Sequence, residues 1–298
     1  MKTNVPESIV DFSHRDHSLL TAIAGEISSR AGGDEALAAK FSTMLRQCVD
    51  DVIMTPKTGR RSYDELEKTE KTYIGTRVEI ELRAMLRLPK GKLDTVILDQ
   101  DVDIKNTMGN NWMIPTEAVD HPCILVAADE TRAQCFLGLV VARLDYLTLG
   151  KNKDSKRSIS ALGFANILWL LREQPYPPNF WRTVPSDAIE RIFDGKSGNQ
   201  RMVNLFREVQ NEPITRDVVE AVAQQKDFMR RIRSDNGRGT RDILALEGIL
   251  LLSGDYDAVL IEQLGLKSCS GSEFISHKAN SKEEISLAAH HGIKISDT

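Results

Sequence analysis

The chain has 298 residues, 41% of them apolar and 28% charged, and a net charge of −4. That length holds one large domain or two ordinary ones, each with its own core. The balance excludes a disordered chain and a polycation that coats nucleic acid by bulk charge, so any nucleic-acid contact must gather its basic residues onto one face.

The opening MKTNVPESIVDF lacks the apolar stretch of a secretory signal. No run of about 18 apolar residues follows, which predicts a soluble cytoplasmic protein with no membrane partner. Residues 17–53 carry apolar positions at helical spacing, from Leu19 and Ile23 through Phe41 to Val49 and Val52. PKTGRRS (56–62) then reads as an exposed loop bearing Lys57, Arg60 and Arg61. Residues 64–88 return to helix. Thr76 and Glu79 have capping-box spacing around Gly75, so the helix is expected to restart there, although Val78, Ile80 and Leu82 also alternate as in a strand.

Four strands are expected next: TVIL (95–98), DVDIK (101–105), CILVAAD (123–129) and CFLGLVVARL (135–144). SISALGFANILWLL (158–171) is expected to resume a helix, and the following REQPYPPNFWRTVPSD holds four prolines. Proline removes donors and fixes φ, which places a linker at 171–178 between domains 1–170 and 179–298. The first domain has an α/β pattern. In the second, DAIERIF, NQRMVNLFREV and TRDVVEAVAQQKDFMRRIR read as helices, SDNGRGTRD as a turn and EGILLL (247–252) as a strand, which suggests a winged helix-turn-helix. Cys48, Cys123, Cys135 and Cys269 are scattered without a C-x-x-C pair, which fits a reducing compartment and argues against a disulfide framework or a zinc ribbon. The adjacent His290 and His291 read as surface.

Three D-x-K triplets occur, at 103–105, 154–156 and 194–196. About one is expected by chance, so the triplet alone is weak. The last two lie in polar or glycine-containing stretches typical of solvated loops. Only the first lies in an apolar strand, where alternation puts Asp103 and Lys105 on one face. A tight turn at Asp99-Gln100 would bring Asp94 alongside Asp103. Two carboxylates and a lysine so placed can hold Mg²⁺ against a scissile phosphate, with Lys105 orienting the attacking water and offsetting developing charge. They can equally form an ion pair at a strand end, and these residues alone leave both readings open.

KTEKTYIGTRVEIEL (68–82), DTVILDQDVDIKNT (94–107) and WMIP (112–115) resemble the NaeI-type restriction endonucleases, and so do SGNQRMVNLFREV (197–209), VAQQKDFMRRIR (222–233) and RDILALEGILLL (241–252). The similarity runs in order over roughly residues 40–266. It implies a PD-(D/E)xK restriction-endonuclease-like domain followed by a winged helix-turn-helix domain related to DNA-binding modules of topoisomerases. It further implies a homodimer that cuts double-stranded DNA with Mg²⁺ at a GC-rich palindrome and binds a second copy of DNA on its C-terminal domains as activator. A cognate DNA methyltransferase would protect the host. By position, Asp94 and Asp103 match the metal-binding aspartates, Lys105 the catalytic lysine and Glu79 the active-site glutamate. Leu93-Asp94 stands where the fold's name has Pro-Asp, a proline only loosely kept in such enzymes.

Lys226, Arg230, Arg231, Arg233, Arg238 and Arg241 stand against only Asp227 and Asp235 in residues 226–241. Such a density can neutralise several phosphates, and the glycine-rich NGRG turn is expected to bring backbone close to one. Asn199 and Gln200, at a helix start, are a second candidate DNA contact. Lys57, Arg60 and Arg61 in the nuclease domain, and KNKDSKR (151–157), are others. A mismatch- or structure-directed repair nuclease and a non-enzymatic winged-helix regulator are the competing functions. Cutting of both strands at a fixed palindrome separates the first, and loss of metal-dependent cleavage in Asp103→Ala the second.

Overall fold

In a computed structural model, residues 5–150 and 152–296 are described. They form two compact units. One comprises the described residues up to Ile53 together with Ser62–Asn179; the other comprises Met54–Arg61 and the described residues from Phe180 onward.

The first unit opens with helices α1 (His17–Ala31) and α2 (Asp34–Ile53). Gly32 and Gly33, with φ of 98° and 106°, break the single apolar run into these two helices, in a conformation that side chains resist. After the short α3 (Thr55–Thr58), helix α4 runs unbroken over Lys68–Met85. Its capping box is Glu67 with Glu70, so the restart expected at Thr76 and Glu79 does not occur. A bare helical glycine at position 75 costs too little to interrupt a helix whose Ile74, Val78 and Leu82 all reach the core.

Strands β1 (Thr95–Ile97), β2 (Gln100–Thr107), β4 (Pro122–Asp129), β5 (Gln134–Val141) and β7 (Leu168–Pro175) make a mixed sheet in the order β1-β2-β4-β5-β7. Only β2 and β4 run parallel. Strands β3 (Met113–Ile114) and β6 (Arg157–Ser158) form a separate ribbon, followed by α5 (Ala161–Ala165). The helix expected over 158–171 is thus mostly wrong. Ile167 to Leu171 is as apolar as a buried helix, but it pairs with β5 instead. Gly138 permits this close approach, since a Cβ there would lie 2.5 Å from Ile167 Cγ2. Most of the segment expected as linker is therefore strand, and the units divide after Asn179.

Both sheet faces are covered. Val102, Ile104, Ile124, Val126, Leu137 and Leu139 pack with α1, α2 and α4, while Cys123, Leu125 and Phe136 face Trp112, Phe164 and Ile167. Double burial explains why β4 reads as a continuous apolar run.

The second unit contains α6 (Phe180–Thr183), α7 (Ser186–Phe193), α8 (Gly198–Glu208), β8 (Ile214–Thr215), α9 (Arg216–Ala223), α10 (Phe228–Ile232), α11 (Thr240–Leu246), β9 (Ile249–Ser253), α12 (Ala258–Gln263), β10 (Glu273–Lys278) and α13 (Lys282–His290). Its sheet has the antiparallel order β8-β10-β9. The helix expected across 215–233 splits at Gln224, whose φ is 52°. Helix α3 packs on α9, and the Arg61 guanidinium lies 4.4 Å over the Phe193 ring. Lys57, Arg60 and Arg61 consequently belong with this unit and not, as expected, with the nuclease domain. No described helix is long and apolar enough to cross a membrane, and the four cysteines are free thiols.

Candidate active site

The hairpin of β1 and β2 turns at Leu98 and Asp99, whose φ values of 50° and 59° are those of a type I′ turn. The turn sits one residue earlier than expected, since Gln100 already belongs to β2. Thr95 therefore pairs with Val102, which sets Asp94 opposite Asp103. Just upstream, the chain packs tightly on β2: Asp101 accepts the Lys92 amide at 2.8 Å, and a Cβ on Gly91 would lie 2.6 Å from the same carboxylate oxygen.

Three oxygens from three residues converge on Lys105 Nζ. It donates to Asp103 Oδ1 at 2.7 Å, to the Ile104 carbonyl at 3.1 Å and to Asp94 Oδ2 at 3.4 Å. Asp94 Oδ2 also accepts the Ile104 amide at 2.7 Å. Asp103 is only 3% exposed, and its Oδ2 is buried with no hydrogen-bond partner.

The electrostatics show a deficit of positive charge. Burial, reinforced by Asp94, outweighs Lys105 and pushes the Asp103 carboxyl up to about 6. Burial and then Asp94 also raise Glu79. Burial disfavours the Lys105 ammonium, but Asp103 and Asp94 prevail and hold its pKa above the usual lysine value. Among the described residues no three His, Cys, Asp or Glu side chains form a metal cage. The set present is instead two carboxylates and one backbone carbonyl, hard oxygen donors already gathered around a cationic group, with one carboxylate oxygen left over. That set fits a hard divalent cation.

Glu79 lies in the middle of α4 and pairs with Arg83 at 3.3 Å. Arg83 went unnoticed in the sequence, although its i,i+4 spacing from Glu79 was visible. Cys123, the β4 register partner of Asp103, is fully buried beside it, a placement that only strand pairing reveals.

The basic residues divide into two groups. Arg231 pairs with Asp227 and Arg241 with Asp257. Lys226, Arg230, Arg233 and Arg238 are exposed and, among the described residues, have no carboxylate partner. The glycine-rich turn faces inward: Asp242 Oδ2 accepts the amides of Asp235, Gly237 and Gly239, so these are not open to a phosphate as expected. A Cβ on Gly239 would lie 1.8 Å from the Arg233 carbonyl oxygen. Asn199 is also engaged internally, donating to the Arg238 carbonyl at 3.0 Å and accepting from the Thr240 hydroxyl at 2.9 Å. Gln200 donates to Asn204 within α8. Lys57 is exposed on α3. Of KNKDSKR, Lys151 lies outside the described residues, and 154–156 forms a turn around Asn152.

The family model for restriction endonuclease NaeI matches residues 34–291, a span that holds both the acid–lysine cluster and the arginine-rich segment. The type II restriction enzyme NaeI of Lentzea aerocolonigenes is 36% identical over 233 residues, covering 75% of this chain and 73% of that protein.

Proposed function

The chain belongs to the NaeI family of type II restriction endonucleases, site-specific deoxyribonucleases that act on double-stranded DNA, and we propose that Glu79, Asp94, Asp103 and Lys105 are the residues that perform its cleavage. The observation that carries this reading is the convergence of Asp94, Asp103 and the Ile104 carbonyl on the Lys105 ammonium, around a buried carboxyl that lacks sufficient positive charge.

Asp94 and Asp103 would hold Mg²⁺, which when bound supplies Lewis acidity toward a phosphoryl oxygen and water. Lys105, held in place by Asp103, Asp94 and the Ile104 carbonyl, would offset charge developing on the phosphate. Glu79, whose carboxyl burial and then Asp94 push above its ordinary value, would be a stronger proton acceptor than an ordinary carboxylate. Arg83 holds it meanwhile.

The second unit is read as a winged helix-turn-helix that binds another copy of DNA as activator. In support, α9, α10 and α11 precede the β9–β10 pair, and Lys226, Arg230, Arg233 and Arg238 are exposed and uncompensated. Asn199 then acts by positioning the Arg238 loop, and Lys57 adds charge from α3. A GC-rich palindromic site, a homodimer and a companion methyltransferase complete the reading.

Digestion of a sequenced phage genome by the purified protein with Mg²⁺ tests it. Discrete fragments with common, GC-rich palindromic ends are expected, and none when Mg²⁺ is withheld. Random degradation, or binding without cleavage, overturns it.

A further inference from the structure

A cavity of about 660 Å³ opens in the second unit where the start of α9, the end of α10 and the β9–β10 connection meet. Met229, Ile232 and Phe274 supply apolar lining, and the last two are almost fully buried. Three guanidinium groups border it, those of Arg216, Arg233 and Arg241. Arg241 gives one nitrogen to Asp257 at 3.3 Å, but its Nε is buried without an acceptor. Among the described residues, Arg216 and Arg233 are bonded to no carboxylate. Arg216 lies 5.6 Å over the Phe228 ring. Against these three cations the lining has one carboxylate, Asp255. Tyr256 stands at the edge, 83% exposed.

An occupant of this space must be partly flat and apolar, to cover the floor, and anionic, to meet the arginines. It must also be small, because pockets of roughly 300–1,000 Å³ suit single small molecules and no duplex fits inside one. Aromatic rings and arginines at a rim are the usual means of holding a nucleobase and its phosphate, through stacking and forked hydrogen bonds.

We propose that this cavity is a nucleotide-binding site, which takes one nucleotide with its base against Met229, Ile232 and Phe274 and its phosphate on Arg233 and Arg241. The nucleotide is either free in solution or one unit of a DNA strand turned out of its stack. The proposal stands on the cavity alone and does not depend on the second unit binding effector DNA.

The test uses the full-length protein without metal, so that DNA stays intact. One arm titrates fluorescently labelled dGMP; the other follows 2-aminopurine placed along a duplex carrying the mapped cleavage site. Three variants are compared: Met229→Trp, which fills the cavity; Tyr256→Ala, whose exposed ring has no part in the core; and Lys278→Ala, a cation outside the cavity. Binding of dGMP weakened at least tenfold by the first two and unchanged by the third supports a free-nucleotide site. No dGMP binding, but a 2-aminopurine signal lost in Met229→Trp, supports a nucleotide from DNA. Silence in both arms overturns the proposal, as does a response that Met229→Trp leaves intact. Duplex anisotropy in the same titrations reports separately on whether the protein binds DNA at all.

Discussion

The Ile104 amide donates to Asp94 Oδ2 at 2.7 Å, across the hairpin that separates the two residues. Asp94 is therefore oriented by the backbone of β2, whereas Asp103 is oriented by the Lys105 side chain. Asp103→Asn should keep the fold and lose cleavage by about 10²–10³-fold or more, the usual effect of removing one preorganised charged group. Single-turnover cleavage beside duplex binding checks this. Binding lost together with cleavage would assign Asp103 a structural role.

The pH dependence of stability has a definite sign. Asp103 protonates at about 6 in the folded protein against an ordinary 3.8. Between those values the folded state holds the extra proton, so this group's contribution to stability falls as pH rises from about 4 to about 6. Urea titrations of metal-free wild type and Asp103→Asn should differ by an amount that changes across that window and is flat above it. A difference flat throughout would mean that Lys105 fully neutralises the carboxylate.

Metal should stabilise the fold independently of any cleavage. A ligand present at 100 times its dissociation constant adds about 2.7 kcal/mol to stability. Mg²⁺ should therefore raise the melting temperature of the wild type and leave the Asp94→Ala, Asp103→Ala double variant unmoved. An equal rise in both proteins would place the ion elsewhere.

Arg46 in α2 is 8% exposed and binds Glu130, which is 10% exposed, through two hydrogen bonds of 2.9 and 3.0 Å, and Tyr176 donates to the same glutamate. Removing one partner of a buried pair strands the other charge, at a cost of about 3–5 kcal/mol. Arg46→Ala should lose that much in urea denaturation. The double variant Arg46→Met, Glu130→Gln should recover only part of it, because Asp50, which Arg46 also pairs at 2.7 Å, loses its cation.

The salt dependence of DNA binding should follow pairing. Arg230→Ala and Arg238→Ala each remove an uncompensated cation and should lower the slope of log K against log salt by about 1. Arg231→Ala should lower it less, because Arg231 already pairs with Asp227 at 3.5 Å. Equal slopes for all three variants would mean that the Asp227 pair opens on DNA.

Strands β1, β2, β4 and β5, the helical character of α1 and α2, and the shared face of Asp103 and Lys105 were legible in the order of residues alone. These depend on alternation, helical spacing and a two-residue turn, which act within a few residues and so are written locally. The meeting of Asp94 with that pair followed from the same turn, one residue out of place. The rest depended on packing between residues far apart in the chain. Residues 168–171 are apolar enough for a helix, and the open edge of β5, with Gly138 making room, turned them into the start of a strand. Glu79 sits in an unbroken helix because Ile74, Val78 and Leu82 all reach the core. Lys57, Arg60 and Arg61 joined the second unit through packing on α9 and Phe193, distant in the chain. The deficit of charge around Asp103 likewise arises from burial by several strands at once, which no short stretch of residues can express.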